Sequence, residues 1–216
     1  MKKHLQVPIA AALLLIVFAV AIIIYNEQQA EELSATADKN AALLIRDYSP
    51  TIGNKNARVT IVEFFDPACE TCKAFHPFVK HLMSAHPGRI NLVLRYTPFH
   101  QGSDYVIKIL EAARLQNRFW ETLEASYESQ PAWASHGNPQ PERLWTLLGG
   151  VGLDLNKARA DMQSPTIAHR IQQDMEDARQ LQVTKTPGFF VNGKPLVRFG
   201  YEPLQELVEA EIRQQY

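Results

Sequence analysis

The sequence predicts a mixed α/β chain: a strand–helix–strand unit, a block of helices, and a closing β-hairpin and helix, all behind an apolar N-terminal helix. Three observations predict it. The run Val59-Thr60-Ile61-Val62-Glu63-Phe64-Phe65 is short and rich in β-branched and aromatic residues, which reads as a buried strand, and Ile90-Asn91-Leu92-Val93-Leu94-Arg95-Tyr96 repeats the pattern. Between them Phe75, Phe78, Val79, Leu82 and Met83 recur at helical spacing. Near the end, Asn192-Gly193 separates two short apolar segments, Phe189-Phe190-Val191 and Pro195-Leu196-Val197, a strong hairpin signal.

From the start of the chain, Lys2, Lys3 and His4 precede an uncharged run of nineteen residues that begins at Val7 and ends at Tyr25. At ~1.5 Å per residue this run nearly spans a ~30 Å hydrocarbon core. The lysines keep the N-terminus cytoplasmic and send the rest outward, into the periplasm or outside the cell. A signal peptide cleaved after Ala19-Val20-Ala21 is the alternative, but Ile22-Ile23-Ile24-Tyr25 carries the apolar run past that point, which favours a single-pass anchor in the inner membrane. Residues 26–50 then read as a helical stalk, with Ala30, Leu33, Ala37, Ala41 and Leu44 on one stripe that could meet a second copy or dock on the domain. Ser49-Pro50 and Gly53-Asn54-Lys55-Asn56 break the periodicity, so the globular domain covers 51–216.

Within that domain the helix after the first strand runs from about Cys69 to His86 with Pro77 inside it. A helical insertion follows over about 103–182, with candidate helices at 104–115, 118–127, 141–148, 155–161 and 166–181, each bounded by Gly, Pro, Asn or Ser. Phe119, Trp120, Trp133 and Trp145 read as its core. A terminal helix spans 203–215.

The chemistry gathers around the chain's two cysteines, Cys69 and Cys72. Asp66-Pro67 offers a helix cap and a first-turn proline, which puts Cys69 in the first turn, where unpaired N–H groups and the positive end of the helix dipole favour a thiolate. Cys72 lies on the same helix face, within reach of a disulfide. A bridge closing so short a loop removes little unfolded-state entropy, so a redox role fits better than a staple. Cys69, Cys72 and His76 at i, i+3 and i+7 could instead hold Cu(I) or Zn(II) with a fourth position open; the plainer reading of His76 is a solvated or packed helix residue. Glu63 is a carboxylate inside an apolar strand. Burial raises the pKa of such a group and suits it to exchange a proton with a buried thiol, and Arg95 on the neighbouring strand is its expected partner.

In combination these features resemble the DsbA-like thiol–disulfide oxidoreductases of the thioredoxin superfamily: the strand ending in Phe64-Phe65, Cys69-Glu70-Thr71-Cys72 opening a helix that carries Pro77, the inserted helices, and Thr186-Pro187 ahead of Phe189-Phe190-Val191. The resemblance spans about residues 52–216. It implies a thioredoxin fold, β-α-β plus β-hairpin-α, carrying the helical subdomain. It implies dithiol–disulfide exchange through Cys69 and Cys72 with no organic cofactor and no metal, and it gives Glu63 the proton-transfer role. Pro187 would be a cis-proline beside the pair, with Thr186, Glu70 and Thr71 facing the substrate. The implied partners are extracytoplasmic proteins with thiols or disulfides and a membrane redox protein that recycles the pair. One departure stands out: relatives often have Pro and His between the cysteines, and Glu70 here disfavours the Cys69 thiolate by like charge, which predicts a weaker oxidant. A tethered metal-handling or chaperone module, using the same pair without turnover, is the alternative.

Other classes are excluded by the residues. Net charge is −1 with no basic patch, so nucleic acid is not a partner. Gly149-Gly150-Val151-Gly152 lacks the preceding strand that a dinucleotide fingerprint needs, and neither G-x-S-x-G nor H-E-x-x-H occurs.

Overall fold

The computed structural model describes residues 3–135 and 137–216, with side chains from Leu13 onward; Lys2 of the expected cytoplasmic flank lies outside the described residues. A single helix, α1 (Lys3–Lys39), covers both the apolar run and most of the expected stalk. No Gly or Pro separates Tyr25 from Lys39, so composition changes there while the helix does not. Its side chains from Leu13 to Tyr25 are exposed, and the helix is long and apolar enough to cross a membrane. Its second half docks on the domain. Ala37 is fully buried and, with Leu44, packs against Val62, Phe64, Val93, Ala178, Leu181 and Phe190, so the small-residue stripe faces its own chain.

The domain is built on a five-stranded sheet of order β1-β3-β2-β4-β5. At its centre β2 (Val59–Phe65) and β3 (Ile90–Tyr96) run parallel with Val59 opposite Ile90 and Phe65 opposite Tyr96, joined through α2 (Glu70–Ala85). β4 (Gly188–Val191) pairs antiparallel to β2 on the other side, and β5 (Lys194–Pro195) pairs antiparallel to β4. The hairpin turns at Asn192 and Gly193, with φ of 48° and 87°, the left-handed pair a two-residue primed turn requires. β5 is shorter than the sequence predicts, although the Leu196 N–H still donates to the Phe189 carbonyl at 2.9 Å. A three-residue edge strand, β1 (Thr51–Gly53), is antiparallel to β3; so short a segment leaves no alternation to read.

Side-chain alternation along β2 sorts the core. Val59, Ile61 and Phe65 face Cys72, Phe75, Val79 and Leu82 of α2, together with Leu204, Val208 and Ile212 of the closing helix α9 (Tyr201–Gln215). Val62 and Phe64 face the other way, toward α1. The same parity overturns one expectation. Glu63 is in register with Leu94, whereas Arg95 is opposite Phe64, so Arg95 points to the face Glu63 does not share. Fully buried there, Arg95 donates through Nη2 to Asp174 Oδ1 at 2.8 Å and Asp177 Oδ2 at 2.5 Å, and through Nη1 to the Leu43 carbonyl. Arg46 also pairs with Asp177, at 2.6 Å, and the Tyr48 hydroxyl donates to Asp174 at 2.7 Å. This network fastens the segment after α1 to the sheet and to helix α8 (Pro165–Gln180).

The insertion comprises α3 (Ser103–Arg114), α4 (Phe119–Glu128), α5 (Gln130–Trp133), α6 (Leu144–Leu147), α7 (Leu155–Asp161) and α8. The expected helix at 141–148 is divided into a 3-10 turn, Pro141–Arg143, and the short α6. Trp133 and Trp145 are core residues, and their indole N–H groups find partners, the Ser126 carbonyl at 2.9 Å and the Tyr105 hydroxyl at 2.8 Å. Ala68 belongs to this second core, so the loop carrying the cysteines is packed against the insertion as well as the sheet.

Candidate active site

The chain leaves β2 through Asp66, which turns inward instead of capping the next helix. It is fully buried; Oδ1 accepts from the Ala68 N–H at 2.8 Å and from the Ser103 hydroxyl, while Oδ2 accepts from the backbone N–H of His100 at 2.8 Å and lies 2.8 Å from His100 Nδ1. Gln130 from the insertion donates to the Pro67 carbonyl at 2.9 Å. The loop is thereby fixed from two sides.

Helix α2 starts at Glu70, and its cap is Cys69 itself, three residues after the Asp66 cap that the sequence suggests. Its extended backbone, φ −74° and ψ 118°, lets Sγ accept from the Cys72 N–H at 3.4 Å. The sulfur thus does the work of a capping oxygen for an N–H group the helix leaves unpaired. Both cysteines are free thiols; Cys69 is 6% exposed and Cys72 not at all. Cys69 Sγ also lies 3.4 Å from the Thr186 carbonyl, and the Thr186–Pro187 bond is cis. The fold therefore brings Cys69, Cys72, Thr186 and Pro187 together. Glu70 and Thr71 are exposed at the rim, and Thr71 joins Thr186, Pro187 and Phe199 in lining a groove of about 470 Å³. Gln29 and Leu33 of α1 form part of its wall, which the sequence reading did not anticipate.

The two thiols are driven apart electrostatically. Hydrogen bonding from Cys72, helped by Thr186 and by the backbone N–H groups of Cys72 and Thr71, outweighs burial and lowers the Cys69 thiol to about 5. Burial, then the hydrogen bond with Cys69 and the negative charge of Glu63, push Cys72 well above its ordinary value. Glu63 is 2% exposed, and burial reinforced by the charge of Cys69 raises its carboxyl to about 8. Tyr127 of α4 shares this pocket: burial and the charges of Cys72 and Glu63 raise its hydroxyl well above normal. Nothing in the sequence distinguishes Tyr127 from any other helix-end aromatic. His76 faces elsewhere, its ring 5.3 Å from that of Tyr127 and Nε2 3.8 Å from Glu124, so it does not complete a ligand set with the cysteines. Among the described residues no group of three or more His, Cys, Asp or Glu side chains is placed to hold a metal.

A carboxyl held near 8 carries a stability cost with a definite sign. Between the ordinary value of 4.5 and about 8 the unfolded chain has lost the proton that the folded chain keeps, so stability falls as pH rises through that window and the full cost is reached above it. Cys69 offsets this loss over the same window, because its folded thiol, at about 5, has given up a proton that the unfolded chain keeps. Glu63→Gln is expected to stabilise the reduced protein by about 2–3 kcal/mol at pH 7 and, with that offset left unopposed, to turn a nearly flat profile into one that rises with pH between about 5 and 8. It should also slow deprotonation of Cys72. Urea midpoints across that range check the first expectation, and a variant as pH-dependent as the parent would refute it.

Residues 46–210 match the thioredoxin family model. The chain belongs to the thioredoxin family. Over 180 residues this thioredoxin-family chain is 25% identical to disulfide bond formation protein D of Bacillus subtilis, covering 76% of this chain and 77% of that one. The crystal structure of a thioredoxin-like oxidoreductase from Silicibacter pomeroyi matches the fold with a TM-score of 0.68 at 27% identity, over 81% of this chain and 97% of that one. A third similarity is to the Na(+)/H(+) antiporter NhaA of Herminiimonas arsenicoxydans, 28% identical over 144 residues. That match takes in 67% of the thioredoxin-family chain, which spans 22% of the antiporter's length.

Proposed function

We propose that this protein is a thiol–disulfide oxidoreductase that passes a disulfide to extracytoplasmic protein substrates through Cys69 and Cys72 and is recycled by a membrane redox partner. The observation that carries the proposal is the asymmetry of the pair: a reachable thiol with a depressed pKa at a helix N-terminus, beside a cis-proline, backed by a buried thiol with a raised one. In the oxidised protein a substrate thiolate attacks Cys69 Sγ; the Cys69–Cys72 bond breaks, and Cys72 departs with the electron pair and takes a proton, for which the Glu63 carboxyl is the nearby buried source. A second substrate thiolate then attacks the substrate sulfur of the mixed disulfide and releases Cys69 as a thiolate. The substrate is oxidised by two electrons and the Cys pair reduced by two.

The depressed thiol also favours one direction. With its pKa near 5, Cys69 is about 99% thiolate at pH 7, against a few per cent for an ordinary cysteine. Stabilising the reduced form about a hundredfold makes the couple about 60 mV more oxidising than the same pair with an unperturbed thiol. The exposed Glu70 does not outweigh the hydrogen bonds on the sulfur. Residues 1–25 serve as the anchor, 26–50 as a stalk and 51–216 as the exchange domain, with Thr186, Thr71 and Glu70 meeting an extended substrate segment. A metal-handling role would have only the two thiols, since His76 turns away.

The test is the redox equilibrium of the full chain, in detergent, against glutathione, read by trapping free thiols. The expected result is a reversible two-electron couple lying well above about −300 mV, the region of static bridges. A value at or below that figure, or exchange that requires prior removal of a metal, would refute the proposal.

A further inference from the structure

We propose that His100, tied by Asp66 to the loop that carries Cys69, is a positioning residue whose positive charge supports the Cys69 thiolate, so that the oxidising power of the pair responds to pH near neutrality. This deepens the disulfide-exchange reading and rests on it.

The geometry begins with a shared carboxylate. Asp66 is fully buried, and its two oxygens bind both the loop leading to Cys69, through the Ala68 N–H at 2.8 Å, and the loop between β3 and α3, through the His100 N–H and Nδ1, each at 2.8 Å, and the Ser103 hydroxyl. The second loop is pinned at its start as well, where the N–H and hydroxyl of Thr97 reach the Phe65 carbonyl at 2.9 and 3.1 Å. His100 is therefore held in fixed relation to the cysteine loop by a group that sets its tautomer: Nδ1–H donates to the carboxylate, leaving the other ring nitrogen to gain or lose a proton. The side chain is 39% exposed, so water can deliver that proton.

His100 contacts Asp66, and the charges of Cys69 and Glu70, at the start of α2, also act on it. Burial disfavours the imidazolium, but the hydrogen bond and charge of Asp66 together with the charges of Cys69 and Glu70 prevail and raise its pKa. Coupling between two sites is reciprocal: whatever the Cys69 thiolate does for the imidazolium, the imidazolium does for the thiolate. Between the cysteines, Glu70 and Thr71 offer no cation. His100 brings one from a different loop. As pH rises through its titration the cation is lost, the thiolate loses that support, and the couple becomes less oxidising beyond its ordinary pH slope.

The experiment compares the full chain in detergent with His100→Gln, which keeps a hydrogen-bond donor for Asp66 without a charge, and His100→Arg, which is charged at every pH. Thiolate absorbance at 240 nm reads Cys69 titration, and the equilibrium with glutathione at pH 5.5 to 8.5 reads oxidising power. His100→Gln is expected to raise the Cys69 titration and shift the equilibrium about 3- to 10-fold toward the disulfide below neutral pH. His100→Arg is expected to keep the low titration but lose the break in the pH profile. Unchanged Cys69 titration in His100→Gln would overturn the inference, whether or not thermal stability falls. A parent protein without a reversible couple would refute the disulfide-exchange reading, and the absorbance titration would then still decide whether His100 acts on Cys69.

Discussion

Cys72→Ser is expected to convert the protein into a trap: it attacks a substrate disulfide once through Cys69 and stays joined to it, with steady-state exchange reduced at least about 10³-fold. Cys69→Ser should lose exchange to the same extent without accumulating any adduct. The difference follows from access and protonation. Cys69 is 6% exposed and its thiol sits at about 5, whereas Cys72 is fully buried and its thiol is raised well above normal. Only one sulfur is both reachable and ionised at pH 7. Alkylation checks the same asymmetry without a substrate, since Cys69 in Cys72→Ser should react about 10²-fold faster at pH 7 than Cys72 in Cys69→Ser. Comparable rates would mean that the two thiols are equivalent and that the proposed order of attack is wrong.

Arg95→Ala is expected to destabilise the domain by about 3–5 kcal/mol, a large part of the 5–15 kcal/mol that holds an ordinary domain together. The side chain is fully buried between Asp174 and Asp177, with its guanidinium 5.3 Å from the Phe64 ring centroid. Removing it leaves two buried carboxylates short of a cation and frees the Leu43 carbonyl. Asp174 keeps the Tyr48 hydroxyl and the Tyr96 N–H, at 2.7 and 2.8 Å, and Asp177 keeps Arg46, so the loss is partial. Burial pushes Asp177 up, but hydrogen bonds from Arg46, Arg95 and Gln173 prevail and hold it below its ordinary value. Stability from that shift is present above the ordinary carboxyl range and is lost as pH falls, so acid should unfold the parent progressively and the variant with a shallower slope. Urea unfolding of Arg95→Ala, and of Arg95→Met combined with Asp174→Asn and Asp177→Asn, provides the check. Because the triple variant buries no unpaired charge, it should recover much of the loss; a single variant within 1 kcal/mol of the parent would show that the network is not stabilising.

Much of this was legible in the residues. β2 and β3 have the bounds the sequence predicts, since a buried parallel pair needs unbroken apolar, β-branched runs and this chain has two. The hairpin was marked by Asn192-Gly193. What the sequence could not show is parity between strands. Glu63 and Arg95 both read as polar residues in apolar strands, but only the register, with Glu63 opposite Leu94, assigns them to opposite faces. Asp66 misled for a similar reason. Beside Pro67 it has the form of a cap, yet its partners His100 and Ser103 lie 34 and 37 residues further on, beyond any local pattern. Tyr127 enters the site only through the packing of α4. The expected boundary between anchor and stalk followed a change in composition, and helix continuity depends on backbone breakers, which are missing there.

The unbroken α1 also sets a distance. Gln29 and Leu33 border the groove that holds Thr186 and Pro187. With the apolar part of α1 in a bilayer up to Tyr25, a rise of ~1.5 Å per residue puts those two side chains about 6 and 12 Å beyond its edge. The helix then works as a ruler rather than a leash. On that placement, and with the exchange role proposed above, the groove beside Cys69 would stay close to the lipid surface, within reach of thiols near the membrane and beyond the reach of cysteines that stand far from it.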